Sequence, residues 1–227
     1  KQETFPSWSP DGKYLYFCSS DSTINEIAEF KKMKYDIKRI PFNEADKTWG
    51  EVEDIYHAST KGISASHPKI SPDGKFMIFT IAPFGPNAYT QKEADLYLMN
   101  LETKEVSALD AVNSNVSECY HAWASSGRWF VFLRREDGNY GRPYFSYFDK
   151  NGKTHKPFVI PHTEADYNMN LIKSYNATEF LLGPVEVSQN EFYSLIEKEE
   201  AIQSTYGSEM TDSEVDTYSG ASKIEKN

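Results

Sequence analysis

The chain has 227 residues, a net charge of −10, 39% hydrophobic and 15% aromatic side chains, enough for one large or two small domains with a packed core. The charge is uneven: Val185 to Asn227 carries ten acidic and three basic residues, a net of −7, which leaves about −3 on residues 1–184. No basic stripe is available to a phosphate backbone, which argues against a nucleic-acid partner, and no apolar run of about 18 residues is present to span a membrane as a helix. The chain starts at Lys1, close to its first motif, and reads as a mature or trimmed segment whose precursor carried a signal peptide.

Three segments align without gaps: Phe5–Phe17, His67–Phe79 and Tyr120–Phe132, offset by 62 and then 53 residues. Each holds a turn followed at once by an apolar run. In Ser9-Pro10-Asp11-Gly12 and Ser71-Pro72-Asp73-Gly74 the Pro sets φ, the Asp side chain bonds the backbone two residues on, and the Gly accepts positive φ. The third segment has Ser125-Ser126 in place of Pro-Asp, so a different turn type is expected there. The apolar runs Tyr14–Cys18, Phe76–Phe79 and Trp129–Phe132 read as strands buried on both faces. The unit is thus a hairpin.

Two further strand-like runs follow each hairpin. They are Tyr35–Phe42 and Glu51–Tyr56, then Asp95–Leu101 and Glu105–Leu109, then Arg142–Phe148 and His155–Ile160. This makes three units of four strands, with blade boundaries near 4–60, 64–112 and 118–162. Two insertions join second to third strands. Asp21–Lys34 has Ile24, Ile27, Phe30 and Met33 at helical spacing, and Ala82–Glu93 is a loop rich in Pro and Gly. Past Pro161 the pattern weakens: Glu179–Leu182 suggests one more strand, Glu191–Gln203 a helix, and Ser204–Asn227 a disordered acidic tail. The expected division is residues 1–184 for the blades and 185–227 for helix and tail.

The repeated Trp-Ser-Pro-Asp-Gly-Lys signature, intact at Trp8–Lys13 and altered at Trp123–Arg128, resembles the repeat of TolB-like proteins and of the propeller domain of prolyl oligopeptidases. The resemblance covers roughly residues 4–161, about 70% of the chain. It implies an all-β fold, a β-propeller of four-stranded antiparallel blades, about three of them present. Arg142–Phe148 beside Trp123–Arg128 looks similar to TolB-like proteins of gut Bacteroidetes. Families of this type close a ring of about six blades, so the rest would precede Lys1 in a longer protein or come from another chain. The resemblance also implies a periplasmic or outer-envelope location.

No catalytic constellation stands out. The nearest approach to a nucleophile elbow, Gly62-Ile63-Ser64-Ala65-Ser66, lacks its second Gly and precedes a strand. Among five histidines, His67 shares its repeat position with Phe5 and Tyr120, just before each innermost strand, and His121 is one residue on. In a propeller that position lies near a mouth of the channel, so His67, Tyr120 and His121 are the candidate ligand-binding residues, against ordinary packing between blades. His57, His155 and His162 are expected at solvated strand ends. Asp149-Lys150-Asn151-Gly152-Lys153 lacks the later ligands of a calcium loop and reads as a turn. Arg134-Arg135 reads as a solvated strand end or a ligand-facing pair. Trp8 and Trp123 read as packing between blades. Cys18 and Cys119 read as buried thiols or as a disulfide; neither they nor the histidines have metal-site spacing. No cofactor is expected.

The functional expectation is a non-catalytic scaffold that binds a protein, peptide or small ligand in the cell envelope. The alternative is the gate domain of a larger prolyl-oligopeptidase-like hydrolase. A lyase or metal-dependent sugar enzyme would need a histidine cluster that His67 and His121 alone do not make. Self-association is expected if a ring is completed in trans.

Overall fold

The computed structural model describes residues 2–21, 27–136, 140–164 and 166–198. The expected disorder of Ser204–Asn227 lies outside them. Contacts divide the chain into two units, Lys1–Leu181 and Leu182–Asn227.

The first unit is three antiparallel sheets in succession. Sheet 1 runs β1 (Gln2–Trp8), β2 (Tyr14–Ser20), β3 (Asp36–Asn43), with the two-residue β4 (Thr48–Trp49) and then β5 (Glu53–Tyr56) both pairing with β3. Sheet 2 runs β6 (Ser64–Ile70), β7 (Phe76–Ala82), β8 (Asp95–Asn100), β9 (Val106–Ala108). Sheet 3 runs β10 (Glu118–Trp123), β11 (Trp129–Arg135), β12 (Gly141–Tyr147), β13 (Phe158–Val159). The first strands sit side by side, β6 packed between β1 and β10. These are successive blades of a β-propeller.

The turns explain the hairpins. Gly12 donates to the Ser9 carbonyl and Ser9 to the Tyr14 carbonyl, and Asp11 Oδ1 takes both the Ser9 hydroxyl and the Lys13 amide. The Ser71–Phe76 turn repeats every one of these bonds. The Ser9 hydroxyl donating to Asp11, with the Lys13 amide, holds that carboxyl below its ordinary range. The third turn keeps the same backbone bonds, Gly127 to Ala124 and Ala124 to Trp129, with the Ser126 hydroxyl accepting from Arg128 as Asp does elsewhere. The turn type therefore does not change: the glycine at φ 63° and the ladder set it, and a serine oxygen serves as the side-chain acceptor.

Period-two alternation then builds the core. From β7, Met77, Phe79 and Ile81 enter a cluster with Tyr16, Cys18 and Ile37 of sheet 1, while Ile78 enters a second with Phe130, Phe132 and Phe148 of sheet 3. Sheet 2 is thus buried on both faces. Both thiols are free and buried, and burial pushes Cys18 up to about 12.

Several elements differ from the sequence expectation. The 21–34 insertion contains a six-residue 3-10 helix, Ile27–Lys32, and 22–26 lie outside the described residues. The outer strands are shorter, because the chain peels from the ladder at Glu51–Val52 and Lys156–Pro157. Glu179–Leu182 forms no strand; Phe180 rests edge-on against Phe145, and no strand pairs with it. In the second unit, the helix α1 (Gln189–Lys198) starts before Glu191 because of a reciprocal cap: the Glu191 amide donates to Ser188 Oγ and the Ser188 amide to Glu191 Oε2. Residues 199–203 of the expected helix lie outside the described residues. No helix among the described residues is long and apolar enough to cross a membrane.

Phe79 is fully buried at the centre of the first cluster. Phe79→Ala is expected to cost about 3–5 kcal/mol, read as a lower denaturant midpoint with an unchanged slope.

Candidate functional site

Each innermost strand carries a bulge at the same place. The pairing register shifts between Thr4 and Ser7, Ser66 and Lys69, and Cys119 and Ala122. Phe5, His67 and Tyr120 sit at these bulges with φ of 53°, 55° and 52°. A left-handed backbone at a non-glycine residue costs on the order of 1–2 kcal/mol, and here it recurs in three consecutive blades. Such conformations persist when their surroundings impose them, and they concentrate at functional sites.

The bulges re-aim three side chains into one series. The Phe5 and His67 rings lie 3.9 Å apart, and His67 meets Tyr120 edge-on at 5.0 Å. Tyr89 extends the row beyond Tyr120 at 5.6 Å, and Tyr35 flanks Phe5 at 6.2 Å. All three bulge residues are half-buried. The row lies within the strands and not ahead of them, because Gln2–Thr4, Ser64–Ser66 and Glu118–Cys119 continue the pairing beyond each bulge. The repeat alignment had identified the shared position; the bulge carries no sequence mark in the alignment.

His67 Nδ1 lies 2.9 Å from Ser66 Oγ, while its buried Nε2 meets no hydrogen-bond partner among the described residues. Burial, with a smaller contribution from Lys69, pushes the His67 imidazole down to about 4. It is therefore neutral near pH 7 and offers one unpaired nitrogen. The structure brings His67 and Tyr120 together, and the His121 imidazole lies close enough to His67 to feel it while turning to Ile78. His121 is almost fully buried between sheets, its Nε2 donating to the Ile78 carbonyl at 2.9 Å. Burial pushes it down to about 3, against the pull of that carbonyl.

The other candidates resolve into structure. Arg134 is not a solvated strand end: its Nε donates to Glu118 Oε1 at 2.8 Å and its Nη2 to the Val112 carbonyl at 2.6 Å. Burial raises the Glu118 carboxyl, and the Ser114 hydroxyl and Arg134 oppose that rise. A register search could have paired these two, since Glu118 and Arg134 face each other across the hairpin. Asp149 accepts the amides of Asn151 and Lys153, so that loop is a turn. Trp123 packs between blades and donates its indole to the Lys69 carbonyl. Trp8, its repeat counterpart, does not: it is 48% exposed and stacks on Trp49 of its own sheet, since among the described residues no sheet precedes sheet 1. His57 and His155 are exposed, but His162 stacks on Tyr167 at 4.0 Å. Among the described residues no group of three or more His, Cys, Asp or Glu could hold a metal ion.

No known protein family matches the chain, and no curated protein matches it. Solved structures do. TolB from Acinetobacter baumannii is 22% identical over 68% of this chain and 32% of its own, with a TM-score of 0.41. A putative TolB from Agrobacterium tumefaciens is 16% identical over 70% and 49%, with a TM-score of 0.46. An acylaminoacyl peptidase from Pyrococcus horikoshii is 15% identical over 71% and 25%, with a TM-score of 0.39. The chain therefore spans a third to a half of the TolB structures it is similar to.

Two outcomes are expected from this site. As pH falls below about 6.5, His67 and His121 take up protons in the unfolded chain while the folded chain resists until about 4 and about 3. The unfolded state then binds more protons, so stability falls with pH across that window. Denaturation midpoints measured near neutral pH and again near pH 5 should drop, and His121→Gln, which keeps a donor for Ile78, should flatten the dependence. Separately, Glu118→Ala leaves the half-buried Arg134 without its carboxylate and should cost about 1–3 kcal/mol. The double variant Glu118→Leu with Arg134→Met should lose less, as read from the same denaturation curves.

Proposed function

We propose that this chain is part of a non-catalytic, TolB-like propeller scaffold of the cell envelope, and that it binds a protein or peptide partner along its innermost strands. The observation that carries the reading is the Phe5–His67–Tyr120 row, held by three strained bulges. Rigid aromatic rings give contact area at low entropic cost, and an unpaired imidazole nitrogen adds one directional polar contact. The envelope location and an origin in Bacteroidetes follow the sequence resemblance to TolB-like proteins.

A hydrolytic reading has one observation in its favour, the 2.9 Å approach of Ser66 Oγ to His67 Nδ1. Against it, Ser66 is buried, and among the described residues the second imidazole nitrogen has no carboxylate to orient it. The scaffold reading therefore stands ahead of the hydrolytic one.

Both readings can be tested together. A peptide library is screened by fluorescence anisotropy against the chain and against Tyr120→Ala, whose fold is checked by circular dichroism. Binders are expected whose affinity falls tenfold or more in the variant. Hydrolysis of p-nitrophenyl acetate is measured in parallel and should be the same in the chain and in Ser66→Ala. Binders indifferent to Tyr120→Ala, or a turnover that depends on Ser66, would reverse the assignment.

A further inference from the structure

A cleft opens between sheets 1 and 2 at their turn ends, where two positions carry smaller side chains than their repeat equivalents carry between sheets 2 and 3. Backbone bonds fix one equivalence: Leu101 donates to the Lys75 carbonyl as Phe148 does to that of Arg128. The repeat alignment fixes the other, Ile70 with Trp123. In sheet 3 the Trp123 indole donates to the Lys69 carbonyl and lies 5.0 Å from the Phe148 ring, which meets Phe76 of sheet 2 at 5.3 Å. Ile70 and Leu101 bring no ring to the matching place. Both border a cleft of about 500 Å³ that extends to Tyr14 and Tyr16. The groove between sheets 2 and 3 takes in Phe76 and Phe148 but not Ile78, the repeat equivalent of Tyr16.

Arg39 of β3 gives this cleft a charged wall. Its guanidinium lies over the Tyr14 ring at 4.1 Å, its Nε and Nη2 donate to Glu53 Oε2 at 2.8 and 2.6 Å, and its Nη1 donates to the Tyr16 hydroxyl at 3.2 Å. One N–H on each terminal nitrogen lies outside these bonds. Burial, and then the charge of nearby Arg39, hold the Lys104 ammonium below its ordinary range, with Glu53 opposing. Two cations thus share the Glu53 carboxylate. Of the other charged groups lining the cleft, Asp11 and Asp73 accept bonds within their own turns, Lys75 offsets Asp73, and Glu102 is exposed. An anion entering the cleft is therefore met best at Arg39.

We propose that this cleft binds a small aryl carboxylate, its ring lying against Ile70 and Leu101 and its carboxylate accepting from the remaining N–H groups of Arg39. The ring gains burial where the neighbouring pair of sheets supplies rings of its own. The carboxylate gains charge-assisted hydrogen bonds from a guanidinium already held in place by Tyr14, Tyr16 and Glu53. This site is separate from the Phe5–His67–Tyr120 row and does not rest on the role given to that row.

Isothermal titration calorimetry of the full 227-residue chain tests this with indolylacetate, its uncharged counterpart indolylacetamide, and ringless acetate. Indolylacetate is expected to bind saturably and about tenfold more tightly than the amide, as a charge-assisted hydrogen bond implies. Leu101→Phe, which installs the ring that Phe148 supplies in sheet 3, should weaken indolylacetate about tenfold or more. Arg39→Gln should lower indolylacetate to the affinity of the amide and leave the amide unchanged. Tyr120→Ala should alter neither. Circular dichroism checks the fold of each variant, and the comparison of acid with amide in the unaltered chain needs no variant. No saturable binding of indolylacetate, equal binding of acid and amide, or acetate binding as tightly as indolylacetate would overturn the proposal. So would binding that survives Leu101→Phe, or binding lost in Tyr120→Ala, which would move the ligand to the aromatic row.

Discussion

The second strand of each sheet has to bury both of its faces, and the rest of the structure follows from that constraint. In β7 the odd-numbered side chains from Met77 to Ile81 belong to the core shared with sheet 1, while Ile78 belongs to the core shared with sheet 3. A strand so placed cannot be stable in a lone sheet, because half of its apolar surface would face water. It needs a neighbour on each side. The sheets therefore stack in sequence order, and their first strands are brought together.

That arrangement also explains where polarity is tolerated in the interior. Glu118 and Arg134 form their ion pair on one hairpin, with Ser114 and the Val112 carbonyl filling the remaining positions, so neither charge is stranded. His121 is kept neutral by burial and still meets the Ile78 carbonyl of the neighbouring sheet. Trp123 reaches the Lys69 carbonyl in the same way. Side chains from one sheet thus satisfy backbone groups of the next, which ties the blades by direction as well as by apolar area.

The bulged inner strands are the one place where backbone comfort is given up. Extended backbone at Phe5, His67 and Tyr120 would keep the ladder regular and send alternate side chains to opposite faces. The left-handed turn at each breaks the alternation and lines the three rings up across blades. Repetition of the same local distortion in three unlike sequences, Phe-Pro, His-Pro and Tyr-His, points to a demand of the innermost position rather than of any one residue type.

Sequence alone determined the hairpins, the count of four strands per unit apart from the two-residue β4 of sheet 1, and the order of the units, because those depend on local turn chemistry and on period-two alternation. It also placed Phe5, His67 and Tyr120 at one repeat position. It overextended the outer strands, whose length depends on where the chain leaves its neighbour, and it read Glu179–Leu182 as a strand because apolar content cannot reveal that no partner is there to pair with. The equal repeat positions of Trp8 and Trp123 hid opposite fates, one exposed and one packed between blades, since burial depends on whether another sheet stands alongside. The bulges and the docking of His121 on the Ile78 carbonyl were decided by tertiary structure: no local residue pattern encodes the bulges, and the Ile78 carbonyl belongs to another sheet.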